Sequence, residues 1–373
     1  MHTSTTFGRA LLLTIASLCA GCADMSYLLQ SAKGHIDIMR ASRPVDQWLA
    51  EKATEGATGA ATEGTAEGAL QQRLRLAQAM RRYAVDTLKL PDNASYTRYA
   101  DLRRRAVVWN VVAAPAYSLA PKEWCFPVAG CVSYRGYFDE VDAKALADSL
   151  RQQGWEATVY GVPAYSTLGW TNWLGGDPLL STFIHYPQGE LASLIFHELA
   201  HQVLYVKDDT AFNESFATAV ERLGSAAWLR SQATPAAELE TTRLNTRRAA
   251  FRALTSDTRK KLKAIYPASD AAPVPKPEQE ALKAAVYAQF RADYGQLKID
   301  WGGYDRYDAW VAGANNASFA ALAAYDDWVD AFEALFVRCN GDWTAFYVAA
   351  KNLADKPREK RTQALQELQA KRP

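Results

Sequence analysis

LASLIFHELAHQVLYVKDDTAFNESFATAVERLG, residues 191–224, decides how the rest of the chain is read. Leu191, Leu194, Ile195, Leu199, Val203 and Leu204 recur at the spacing of a buried helix. His197 and His201 stand within that stretch, four positions apart, and so share one helical face about one turn from each other. Two imidazoles so placed reach a common metal ion. Glu198 is rotated roughly 100° from His197, which sets its carboxylate beside the ion, in the position of a general base. Unpaired imidazoles and a carboxylate among apolar residues would be costly, and a bound ion removes that cost.

His197-Glu198-Leu199-Ala200-His201 is the H-E-x-x-H pattern of zinc-dependent peptide hydrolysis. Two imidazoles leave a catalytic zinc short, because such an ion takes three protein ligands and keeps one position open. After them Lys207–Thr210 form a polar turn in which Asp209 or Thr210 caps a second helix. Residues 212–221 of that helix, FNESFATAVE, resemble the second-helix motif of gluzincin aminopeptidases, where an Asn-Glu-Gly-Phe-Ala run supplies a glutamate as third zinc ligand. The resemblance implies one Zn2+ ion held by His197, His201 and Glu214, with Glu198 as catalytic base. Twelve residues separate His201 from Glu214, fewer than in that family, so the connecting loop must be tighter. Nineteen separate His201 from Glu221, nearer the thermolysin-like spacing, which keeps Glu221 as the alternative ligand. With Glu214 bound to the ion, Glu221 orients a ligand histidine through its free ring nitrogen, and Asn213 is a further supporting residue.

From about Cys22 to Tyr347 the chain resembles a family of bacterial aminopeptidase lipoproteins. The segments that carry the likeness are WCFPVAGCVSYRGYFDE (124–140), GVPAYSTLGW (161–170), residues 197–221 and the Asn-Asn-Ala…Tyr run at 315–325. The resemblance implies a zinc aminopeptidase acting on peptide or protein substrates. It also implies a tyrosine from the downstream helices at the oxyanion, Tyr325 first and Tyr304 or Tyr307 after it. The Gly-x-Met-x-Asn loop with which gluzincin aminopeptidases hold a free α-amino group is missing; Asp139, Glu140 and Asp177 are the carboxylates available instead. A zinc endopeptidase acting on envelope proteins and a non-catalytic, zinc-stabilised scaffold therefore stand as alternatives.

Charge excludes one large class of partner. Lysine and arginine number 42 against 41 aspartates and glutamates, without the basic surplus of a nucleic-acid binder. Residues 1–22 read as a lipoprotein-type signal: Arg9, an apolar run over 10–20, and Leu18-Cys19-Ala20-Gly21-Cys22, which resembles a bacterial lipobox. Lipidation of Cys22 would anchor the protein on the periplasmic side of a bacterial membrane, the outer membrane first; ordinary signal cleavage nearby is the alternative. Cys125 and Cys131 enclose a Pro and a Gly, which suits a disulfide in an oxidising periplasm contributing roughly 2 kcal/mol. Cys339 is expected as a buried free thiol, and His185 as structural.

The expected fold is α+β and predominantly helical, with a zincin-like metal helix packed on a small twisted sheet and a helical C-terminal region after it. A packing helix over 23–50 precedes a low-complexity insertion, 51–68, which lacks large apolar residues and should be mobile. The catalytic core is expected over 69–224: a helix over 69–90, strands near 107–112, 132–138 and 157–160, and a helix over 142–153. Gly161–Gly169 then reads either as an edge able to pair with an extended peptide or as a plain loop. Helices are expected at 226–252, 256–264, 277–296, 317–337, 342–353 and 357–371, in a 225–373 region completing the cleft. Asn315 and Asn316 cap the fourth of these, and 299–310 is a loop crossing.

Overall fold

The computed structural model describes residues 27, 29–56, 66–126, 130–164, 175–232, 234–266, 277–323 and 328–370. Cys22, Tyr325 and the middle of the expected insertion lie outside them. The fold is predominantly helical α+β, as the patterning implies. After α1 (29–41) come β1 (Arg43–Pro44), α2 (Val45–Gly56), α3 (Ala66–Asp86), β2 (Arg98–Ala100), β3 (Val108–Pro115), β4 (Trp124–Phe126), β5 (Gly130–Val132) and β6 (Arg135–Tyr137). There follow α4 (Glu140–Gln152), β7 (Trp155–Val162), β8 (Leu179–Leu180), α5 (Gln188–Ala200) and α6 (Thr210–Gln232). The remainder is helical: α7 (Pro235–Ile265), α8 (Pro277–Asp300), α9 (Asp308–Ala312), α10 (Asn316–Ala323), α11 (Val329–Arg338), α12 (Trp343–Ala354) and α13 (Arg358–Ala370). No described helix is long and apolar enough to cross a membrane.

Three small sheets are interleaved with these helices. β6, β3 and β7 form an antiparallel sheet in that order, with Val111 opposite Arg135 on one side and Val159 on the other. β1 and β8 flank β2, antiparallel and parallel respectively. β4 and β5 make a hairpin closed by the Cys125–Cys131 disulfide across directly paired positions. The β6-β3-β7 sheet is packed by α4 and α10, whereas α5 packs chiefly on α6 and also on α3 and α7. The sheet that shares a core with α5 is β1-β2-β8, through Tyr99, Leu179 and Leu180 beside Leu191, Ile195 and Phe196.

Several sequence expectations shift. α6 runs through Gly224 and so crosses the expected boundary between core and C-terminal region. Gly224 is there for packing: a Cβ would lie 2.7 Å from Cδ1 of Leu88 and 3.2 Å from Cδ2 of Phe196. One apolar core runs from Ile38 in α1 to Leu368 in α13, so α11, α12 and α13 are part of the same packing unit as α5 and α6, while α7 to α10 close a second core around Phe251, Phe290 and Phe319. The two helices expected at 226–252 and 256–264 give way to the end of α6 and an unbroken α7, which starts at Pro235 with Thr234 as N-cap. α2 reaches Gly56 and α3 begins at Ala66, both inside the expected insertion. The 317–337 helix is represented by α10 and α11, and Cys339 is half-buried at the C-cap of α11.

The paired asparagines are structural. The Asn315 side chain accepts from the Ser318 amide and caps α10. Asn316 is buried; its side chain donates to the carbonyls of Pro115 and Ala116 and accepts from the hydroxyls of Tyr266 and Tyr287. This bolts α10 to the end of β3.

Candidate metal centre

α5 presents His197 toward α6, and the backbone leaves the helix at His201, its C-cap residue. The chain must then reverse within the short 202–209 connection so that α6 returns alongside α5. Three independent grips hold that connection. Asn213, buried in α6, accepts from the Val206 amide and donates to the Val206 carbonyl, both at 2.8 Å. Asp209 caps α6 by accepting from Phe212 and is clamped at 3.0 and 2.6 Å by the Arg361 guanidinium of α13. Asp208, at φ 61°, accepts from the Cys131 amide of the disulfide hairpin at 2.7 Å. The tight loop thus owes its shape to residues that lie up to 152 positions away in sequence as well as to its own helix. Arg361→Ala should leave the Asp209 carboxylate buried without its partner and lower stability by about 3 kcal/mol. Denaturant unfolding of the metal-free protein measures this, and an unchanged midpoint would contradict it.

The result is a compact donor set. The Nε2 atoms of His197 and His201 lie 3.2 Å apart, and Oε2 of Glu214 is 3.4 and 3.7 Å from them. His197, His201 and Glu214 form a group able to hold a metal ion. Four-coordinate zinc with bonds of about 2.0–2.1 Å sets its ligand atoms roughly 3.3 Å from one another, so the spacing fits. One further observation agrees with a cation at that point. Two imidazole nitrogens face each other at close range, which their lone pairs tolerate with a cation between them. Nδ1 of His201 has no hydrogen-bond partner among the described residues, so that ring lacks the orienting acceptor that His197 has in Glu221.

The supporting residues divide. Glu221 receives Nδ1 of His197 at 3.1 Å, on the far side of the ring from the cluster, and so fixes the ring's orientation. It lies two turns along α6 from Glu214 and is not part of the donor set. Asn213, expected as a support for the ligands, instead latches Val206 and acts on Glu214 only by setting the start of α6. The reason is the α-helical turn: one residue before Glu214, its side chain points about 100° away from the cluster.

Electrostatics reinforce the arrangement. Burial alone would depress the His197 imidazole, but hydrogen bonds to Glu214 and Glu221 outweigh it and hold the ring's pKa well above its ordinary value. Burial raises the Glu198 carboxyl, with the two histidines pulling the other way and Glu214 and Asp177 adding to the rise. Glu214 is driven below the usual carboxylate range, its burial outweighed by His201 and His197.

Of the carboxylates considered for an α-ammonium group, Asp139 caps α4 and Glu140 pairs with Lys144 at 2.7 Å. Asp177 is 2% exposed and acts on Glu198. Tyr304 and Tyr307 belong to an aromatic cluster in which Tyr307 stacks on Phe251 at 4.0 Å. His185 is exposed. The tyrosine that sequence reasoning passed over is Tyr134, between the disulfide hairpin and β6. Burial raises its phenol and the Glu214 charge raises it further. Its hydroxyl has no hydrogen-bond partner among the described residues. The one available signal was the cysteine-closed hairpin just before it, which docks on the 202–209 loop.

No curated protein and no solved structure matches the chain. A family model does, over residues 26–365, which include both metal-site helices, the disulfide hairpin and most of α13. The chain belongs to the family described as "Putative aminopeptidase".

Proposed function

We propose that His197, His201 and Glu214 hold a zinc ion and that the protein hydrolyses peptide bonds as an aminopeptidase. The observation that carries this reading is the convergence of three donor atoms within 3.7 Å, with Glu198 next to them and outside the set. Zinc, when bound, supplies a Lewis acid that polarises a peptide carbonyl and acidifies water. The Glu198 carboxylate takes a proton from the attacking water and returns it to the departing amine; its burial makes it the stronger base. Glu221 holds the His197 ring in register throughout. Tyr134 has a hydroxyl free to donate to the carbonyl oxygen as charge develops there.

The same reading puts the protein in the cell envelope, anchored through lipid on Cys22. The Cys125–Cys131 disulfide supports this, since such bonds persist in oxidising compartments. The deciding experiment measures zinc in the purified protein together with hydrolysis of aminoacyl-arylamides and of N-blocked peptides, before and after chelation. One zinc per chain with chelator-sensitive arylamide hydrolysis is expected. Cleavage of N-blocked peptides alone would make it an endopeptidase, and zinc without any hydrolysis would make it a scaffold.

A further inference from the structure

A cavity of about 930 Å³, with Ser193 of α5 and Thr218, Glu221 and Ser225 of α6 in its wall, opens between α6, α7 and the α9–α10 segment. That is within the size range of small-ligand sites. Glu221 is at once part of its wall and the partner of His197, so the cavity begins where the metal centre ends. A peptide advances about 3.3–3.6 Å per residue when extended. A chain whose scissile bond lies at the metal would enter the cavity within a few residues.

The wall is cationic. Arg222, Arg230, Arg248, Arg252 and Arg306 line it, against the two carboxylates Glu221 and Glu238. Glu190 lies behind, its side chain 9% exposed, and one carboxylate serves both Arg248 at 3.2 Å and Arg306 at 3.3 Å. Two guanidiniums on one shared acid are held in place without being neutralised. Arg230 is exposed and makes no hydrogen bond or ion pair among the described residues. Phe251, Tyr307 and Trp310 add apolar surface to the same wall. Guanidinium forks match carboxylates bidentately, and five of them against two carboxylates, on a wall that also offers the hydroxyls of Thr218, Ser225, Thr241 and Thr242, favour an anionic occupant. A free α-ammonium would be repelled, so the amino end of a substrate belongs elsewhere.

We propose that this cavity is the subsite that takes the carboxylate-bearing end of a short peptide whose scissile bond lies at the metal centre. The proposal rests on the peptidase reading above for the position of the scissile bond, and on the cavity alone for the charge of the occupant. The carboxylate is supplied by the peptide C-terminus or by an acidic side chain near it.

The test uses binding, separate from turnover. Calorimetry on the zinc-loaded Glu198→Gln protein compares a short alanine peptide as free acid, the same peptide as C-terminal amide, and an amide whose last residue is aspartate. The free acid should bind about tenfold more tightly than the amide, the worth of one charge-assisted pair. An aspartyl amide binding like the free acid assigns the site to any carboxylate; one binding like the plain amide assigns it to the C-terminus. Adding Arg230→Gln and Arg306→Gln should bring the free acid down to the amide. Arg248 stays on Glu190 in that variant, and circular dichroism checks its fold. Equal affinity for acid and amide before the arginines are changed overturns the proposal whether or not the variant folds, and so does a preference that survives in a folded variant. Hydrolysis by the unsubstituted protein separates the two readings. Acid and amide cleaved equally, with equal affinities, keeps the peptidase and removes the subsite; selective binding without cleavage does the reverse.

Discussion

Glu198→Gln should lower peptide hydrolysis by about 10²–10⁴-fold, the usual worth of a positioned proton-transfer group, while zinc content stays at the level of the unsubstituted protein. The expectation follows from where Glu198 sits. It is one residue from His197, in the electrostatic field of both histidines, and absent from the donor set. Glutamine keeps the size and the hydrogen-bonding shape but cannot take a proton. Metal analysis beside kcat on an aminoacyl-arylamide reads both halves of the prediction. Hydrolysis unchanged with zinc retained would remove Glu198 from the chemistry; loss of zinc would make it part of the binding set.

The second large effect separates the two glutamates of α6. Glu214→Ala removes one of three donor atoms and should abolish zinc retention on dialysis. Glu221→Ala removes only the acceptor on Nδ1 of His197 and should weaken zinc binding about 10–100-fold without abolishing it. Competition titration against a chromophoric chelator measures both. Equal losses in the two variants would mean that the ligand and the orienting residue had been assigned in the wrong order.

Different parts of this molecule were legible at different ranges. His197, Glu198 and His201 are placed by the helical repeat alone, since i and i+4 share a face in any α-helix. Glu214 and Glu221 share a face of the next helix for the same reason. The motif resemblance favours Glu214 over Glu221; the loop that brings Glu214 to the histidines depends on Asn213, Asp208 and Asp209, the last two gripped by residues as distant as Cys131 and Arg361. Gly224 shows the reverse failure. Its local preference is to end a helix, and the Leu88 side chain packed against it overrides that preference. The tyrosines mark the limit of sequence reading most clearly. Eighteen are present, and no spacing rule distinguishes Tyr134, in the field of the Glu214 charge, from Tyr307 stacked on Phe251.

What the sequence determined by itself is the helical α+β character, the paired-histidine face of α5 and the acidic face of α6, because amphipathic and i, i+4 patterns are properties of a single element. Tertiary structure alone decided how the 202–209 loop is held, that one core joins α1 to α13 while α7 to α10 close another, and that five arginines from α6, α7 and the segment before α9 surround one cavity. Those outcomes depend on contacts between residues tens to hundreds of positions apart, and nothing in the local pattern of either partner encodes the distance at which they meet.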